Sequence, residues 1–320
     1  MRMMRTFAAF VPVAFIAVLL SAGDLGAQTA LTSPTLYRLD KGSGYQSGCF
    51  EPCLCPLLEQ VAMRGTMSLV PAGSDWLYDY YKVTDVNWTA STGDPELRIT
   101  GTGKYTIGGE FALVHRLELD LVVGNNLVEH FDSGLIPVRA QFPAISITVS
   151  IHGQFCFDTV LAVQATPVPL NQIHPYRLLS DTTFQRGCFG FCDCLVGEEL
   201  PVAGTFRLVE LDPTPLYREF AVVDVHWRVQ QTDGSMLTGT PVRGFGMYRI
   251  GGEFALLHQI GLDLFVGDEP LTHYDSGLDP PTTRFPRLDA DLSIGDLTCY
   301  DTLIRLHAAP RHRRWARVGR

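Results

Sequence analysis

No stretch of this chain sustains a helical period with caps, which leaves an architecture built from strands. No G-x-S-x-G elbow occurs, so the strand–nucleophile–helix turn of many hydrolases is missing. Paired C-x-x-C knuckles, the usual zinc pattern, are missing too. After Leu20 no apolar run is long enough to cross a membrane as a helix. Base is also scarce in the body of the chain. Of 25 basic and 34 acidic residues, seven bases and one acid fall in the first 27 residues and the last eleven, leaving 18 against 33, about −15. A surface that acidic repels phosphate backbones and excludes nucleic acid as its partner.

What the chain does have is a repeated stretch. Tyr105 to Leu121 reads YTIGGEFALVHRLELDL, and Tyr248 to Leu264 reads YRIGGEFALLHQIGLDL. Repetition of this kind signals repeated structure. Phe111, Leu113, His115, Leu117, Leu119 and Leu121 alternate with Glu110, Arg116, Glu118 and Asp120, and Phe254, Leu256, His258, Ile260, Leu262 and Leu264 repeat the apolar row. A period of two predicts a half-buried strand over each row.

The remaining matches fix the domain plan. Tyr37/Tyr176, Cys49/Cys188, Gly65/Gly204 and Trp88/Trp227 stand 139 apart, and from Gly108/Gly251 to Cys156/Cys299 the offset is 143. The four extra residues fall in the Gly- and Thr-rich Gln231–Pro241 stretch, where a surface hairpin tolerates them. The reading is all-β: two tandem homologous antiparallel β-sandwich or barrel domains, disulfide-stapled. Residues 35–165 and 176–309 are the copies, and 166–175, with three prolines, is a stiff linker. Seven or eight short strands are expected per copy, separated by turns such as Gly124-Asn125-Asn126.

The ends read differently. Arg2 and Arg5 precede an apolar run from Phe7 to Leu20, so residues 1–27 are expected to be a signal peptide cut near Ala27-Gln28. Residues 310–320 carry five arginines and no acid, the pattern of a basic disordered tail. Eight cysteines agree with export. Cys49, Cys53, Cys55 and Cys156 match Cys188, Cys192, Cys194 and Cys299, and two disulfides per copy are expected, with one member of each triplet reaching Cys156 or Cys299. A soft-metal site on these thiols is the weaker alternative, so no metal or cofactor is assigned.

Three further features call for a choice between chemistry and architecture. His115 and His258 sit on the apolar row, as a general base in a cavity or, by preference, as core histidines with one buried partner. His130-Phe131-Asp132-Ser133-Gly134 and His273-Tyr274-Asp275-Ser276-Gly277, with Glu110 and Glu253, supply the residue types of a hydrolase, but Asp-Ser-Gly is also a strand-ending Asx turn, and the turn is preferred. Asp158-Thr159 and Asp301-Thr302 are expected to pair across strands, and Asn87-Trp88-Thr89 is an N-glycosylation sequon on an outward position.

The opening tyrosine strand and the size resemble secreted single-sheet barrels of the lipocalin-like kind. The likeness covers a few residues per copy and the cysteine cluster departs from it, so no site is carried over. The functional expectation is an exported, non-catalytic module that binds or scaffolds at a cell surface or outside it, its acidic faces suited to cationic or polysaccharide partners. One alternative is a lipocalin-like carrier with an apolar cavity in each copy, lined by Trp88, Phe111, Leu113 and His115, and by Trp227, Phe254, Leu256 and His258. The other is a hydrolase using the His/Asp/Ser/Glu set.

Overall fold

The computed structural model describes residues 31–311, apart from 57, 94–95, 190–191, 193 and 234–235. The expected signal peptide, and the tail beyond Arg311, lie outside the described residues. The first sheet comprises β1 (Thr35–Leu39), β2 (Gly44–Cys49), β3 (Val61–Ser74), β4 (Tyr78–Ala90), β5 (Leu97–Gly108), β6 (Val114–Val123), β7 (Val128–Asp132), β8 (Ile136–Pro137), β9 (Ile145–Ser150) and β10 (Phe157–Pro167). The second comprises β11 (Ile173–Leu178), β12 (Thr183–Phe189), β13 (Leu200–Glu210), β14 (Tyr217–Asp233), β15 (Met236–Gly251), β16 (Leu257–Val266), β17 (Thr272–Asp275), β18 (Leu288–Ser293) and β19 (Cys299–Pro310). The expected linker is therefore largely ordered: β10 runs to Pro167, a 3-10 turn spans Leu170–Gln172, and β11 starts at Ile173.

Both sheets are antiparallel and close on themselves. In the first, β3 through β7 pair in sequence, β7 meets β9, β9 pairs with β10, and β10 returns to β3 through β1 and β2, which share the gap end to end. In the second, β13 through β19 close through β11 and β12 in the same way, and the place of β8 is taken by a single antiparallel bridge, His258↔Asp279. Closure removes the exposed edges that invite aggregation. The hoop is thinnest where β7 meets β9, by the single pair Asp132↔Ser150, and where β17 meets β18, by Asp275↔Ser293.

The inward rows fill each barrel. Trp88, Tyr37, Tyr105, Phe131 and Met67 are fully buried in the first, and Tyr176, Tyr248, Tyr274, Phe206 and Phe220 in the second. Each such side chain contributes about 1.5–3 kcal/mol relative to exposure. Gly65 (φ 136°) sits opposite Trp88 in the ladder. A Cβ there would run into the Asn87 carbonyl, and Gly204 faces Trp227 under the same constraint.

The apolar row of the repeated stretch requires a correction. Phe111 and Phe254 are each 94% exposed, and Leu113 and Leu256 are exposed as well, so these four line no core or cavity. The reason is local. Gly108 and Gly109 take φ of 157° and 133°, and Gly109 donates its amide to the Leu77 carbonyl (2.9 Å), so the chain turns through residues 109–113. The two-residue period restarts at β6, where His115, Leu117, Leu119 and Leu121 are buried.

Candidate functional site: the junction between the barrels

The barrels meet through an apolar patch bordered by charges. Val209, Leu211, Ala221 and Val223 point out of the second barrel and are buried with Val168, Leu36 and Ile173. Beside them Arg64 of β3 donates to both Glu96 oxygens (2.6 Å each) and to Glu219 Oε1 of β14 (3.0 Å). Glu219 is 2% exposed, and burial holds its carboxyl above the usual range against the opposing pull of Arg64. Arg98 ion-pairs with buried Asp263, Arg38 donates to the Glu210 carbonyl (2.9 Å), and the Asn87 amide donates to the Gly246 carbonyl (2.9 Å). Asn87 is 3% exposed in this contact, so the sequon is walled off from a glycan.

Next to this seam lies a cleft of about 840 Å³. Leu36, Ser68 and Asp85 line it from the first barrel, and Asp224, Arg243, Phe245, Phe265, Asp268 and Glu269 are among those that line it from the second. Asp85 and Asp224 occupy the same place in their barrels: each lies at a register break in the ladder, between Val83 and Val86 or between Val222 and Val225. Each has positive φ, 53° and 52°. An aspartate tolerates that region better than most residues, yet it remains a strained choice that surrounding structure must hold in place. The Asp224 carboxylate meets Arg207, and Glu269 receives a two-pronged bond from Arg186 (2.7 and 2.5 Å). Asp85 accepts from Thr84 Oγ1 (2.8 Å), and exposed Asp268 has no ion pair among the described residues. The exposed Phe265 and half-buried Phe245 give the acidic cleft an aromatic wall.

The other candidate residues take structural places. All eight cysteines are paired: Cys49–Cys55, Cys53–Cys156, Cys188–Cys194 and Cys192–Cys299. No thiol is free for a soft metal, and no cluster of His, Cys, Asp or Glu with metal-holding geometry occurs among the described residues. His115 Nδ1 lies 3.1 Å from the Tyr105 hydroxyl in a packed core, with Phe142 stacked on Tyr105. His258, Tyr248 and Phe285 repeat that stack. Burial pulls both imidazoles below their ordinary value and pushes the Tyr105 hydroxyl up, so all three stay neutral. The space proposed for a carried ligand beneath His115 is taken by these rings, and Trp88 and Trp227 are buried in the same cores.

The hydrolase set is spent on turns. Ser133 Oγ accepts from the Leu117 amide (3.0 Å) and donates to the Gly134 carbonyl (2.7 Å), while the Gly134 amide donates to Asp132 (2.8 Å). Ser276 and Asp275 do the same with Ile260 and Gly277. His130 pairs with Asp120 (2.8 Å), and His273 pairs with Asp263 (3.0 Å) while its Nε2 lies 3.7 Å from Asp275. Glu110 is exposed at the turn before β6. Asp158-Thr159 and Asp301-Thr302 pair across strands as expected, opposite Gly48-Ser47 and Gly187-Arg186, and each aspartate carboxylate also collects four backbone N–H groups from the loop before the last strand of its barrel and from that strand's next residue. Carboxylates are strong acceptors, and short loops leave many amides unpaired.

The junction residues escaped the pattern reading. Their one sequence signal is Phe220-Ala221-Val222-Val223, an unbroken apolar run where the equivalent positions of the first barrel are Tyr81-Lys82-Val83-Thr84. A strand apolar on both faces is covered on both. Comparison with protein-family models, curated proteins and solved structures found no match.

Proposed function

We propose that this chain is an exported binding protein, secreted, periplasmic or held at the cell surface, that seats an extended basic ligand in the cleft between its barrels and performs no chemistry on it. The all-β fold and four disulfides are compatible with an extracellular structural or binding role. No helix among the described residues is long and apolar enough to cross a membrane.

One observation carries the reading. The two bulge aspartates, Asp85 and Asp224, converge from separate barrels on one cleft that also holds Asp268 and Phe265. Guanidinium and ammonium groups match that lining, with carboxylates to pair and ring faces to stack on. Filled interiors speak against the lipocalin-like carrier, and serines tied into turns speak against the hydrolase.

Titration of the full chain with fluorescent nona-arginine tests this. Binding is expected to weaken as salt rises, and to weaken at least tenfold in an Asp85→Asn/Asp268→Asn variant. A Glu110→Gln control, at the far tip of the first barrel, is expected to match the parent. Equal affinity in all three would show that the basic probe does not use the cleft.

A further inference from the structure

The cleft has a candidate occupant within the same chain, and this inference rests on the reading above. Arg311 is the last described residue, and its amide donates to the Pro175 carbonyl (2.9 Å). Pro175 stands opposite Arg207 in the β11–β13 ladder. Arg207 in turn pairs with Asp224, which lines the cleft. The chain therefore leaves the second barrel about three strand spacings from Asp224 in the cleft wall, roughly 14 Å. Nine residues follow Arg311, and extended they reach ~30 Å. Those nine include Arg313, Arg314, Arg317, Arg320 and Trp315, and no acid.

The charges match in kind and place. Glu269 and Asp224 already hold Arg186 and Arg207, so the open acceptors are Asp85 and Asp268, with Arg243 the opposing cation on the cleft wall. Phe245 and Phe265 offer faces to a guanidinium or to an indole. We infer that the basic segment 313–320 folds back into the inter-barrel cleft, its arginines on Asp85 and Asp268, so that the chain's own tail is the competitor any external ligand must displace.

Tethering decides how strong this competition is. A short tether sets an effective concentration on the order of 1 mM, so a segment with an intrinsic dissociation constant near ~0.1 mM weakens an external ligand about tenfold. An affinity too weak to purify as a separate peptide suffices in cis.

The experiment compares the full chain with a full-length variant carrying Arg313→Gln, Arg314→Gln, Arg317→Gln and Arg320→Gln, both titrated with fluorescent nona-arginine. The neutralised chain is expected to bind the probe about tenfold more tightly, and this difference is expected to vanish when Asp85→Asn and Asp268→Asn are added to both. Equal binding by the two chains would leave the cleft reading standing and overturn the tail as its occupant. A difference that persists in the double-asparagine background would also overturn it, as an effect of net charge alone. Binding by neither chain would remove the basic-ligand cleft, and this inference with it.

Discussion

Arg64 of the first barrel grips Glu219 of the second, with Glu96 on its other side, and Glu219 is cut off from water. The contact spans 155 positions of sequence and joins two closed sheets that share no strand. Removing one partner of a buried ion pair strands the other charge, which typically costs about 3–5 kcal/mol. Arg64→Ala is therefore expected to lower the denaturation midpoint strongly, and adding Glu219→Gln to restore a large part of the loss. The sign with pH follows from burial, which raises the Glu219 carboxyl and favours its neutral form in the folded state. A group raised in this way supports the fold below its unfolded pKa, and that support is lost as pH rises through the folded value. The Arg64→Ala deficit is expected to be largest near neutral pH and smaller in acid; a deficit that grows on acidification contradicts this account.

His115 and His258 give a second pH dependence, of opposite direction. Both are depressed by burial, so the fold favours the neutral ring. Their contribution is present above the ordinary histidine value of about 6.5 and is lost as pH falls through the folded values. Chemical denaturation between pH 7 and 5 is expected to show falling stability. A His115→Gln/His258→Gln variant is expected to show a shallower slope, though a lower starting point.

The exposed aromatics predict near silence. Phe111→Ser and Phe254→Ser are expected to shift stability by no more than about 0.5 kcal/mol, as for ordinary surface changes. Phe131→Ala, at 0% exposure, is expected to cost about 3–5 kcal/mol. Thermal melts of the three variants side by side check the contrast, and a large loss at Phe111 would restore it to the core.

The two disulfides of a barrel differ in reach. Cys53–Cys156 closes 103 residues and Cys49–Cys55 closes six. Chain entropy values them at about 5 and about 2 kcal/mol in the unfolded state. Paired serine substitutions at Cys53/Cys156 are expected to lower the denaturation midpoint well beyond those at Cys49/Cys55.

Much of the framework was legible because it is written in short-range code. Alternation marked the strands, Gly and Asn the turns, and cysteine spacing the staples. The reading erred where a local backbone event interrupted the code: the glycine pair before Phe111 resets the alternation, and no periodicity reveals where it restarts. Asp158 and Thr159 do sit in a ladder, opposite Gly48 and Ser47; what strand pairing did not reveal is that the buried carboxylate also serves the amides of the adjoining loop. The cleft was invisible for a different reason. Asp85 and Leu36 come from strands of one sheet, Asp224 and Phe265 from strands of the other and Asp268 from the turn after β16, and only the docking of the barrels joins them. Docking depends on side chains facing outward, where the pattern carries little constraint beyond the apolar run at Phe220–Val223.

The single-pair contacts at Asp132↔Ser150 and Asp275↔Ser293 give each barrel a mechanical weak stave. A ring whose other joints hold two or more residue pairs parts first where one rung carries the load. Deuterium should enter β7, β9, β17 and β18 ahead of β4 and β14, as the staves on either side of that gap swing apart while the far wall keeps its shape.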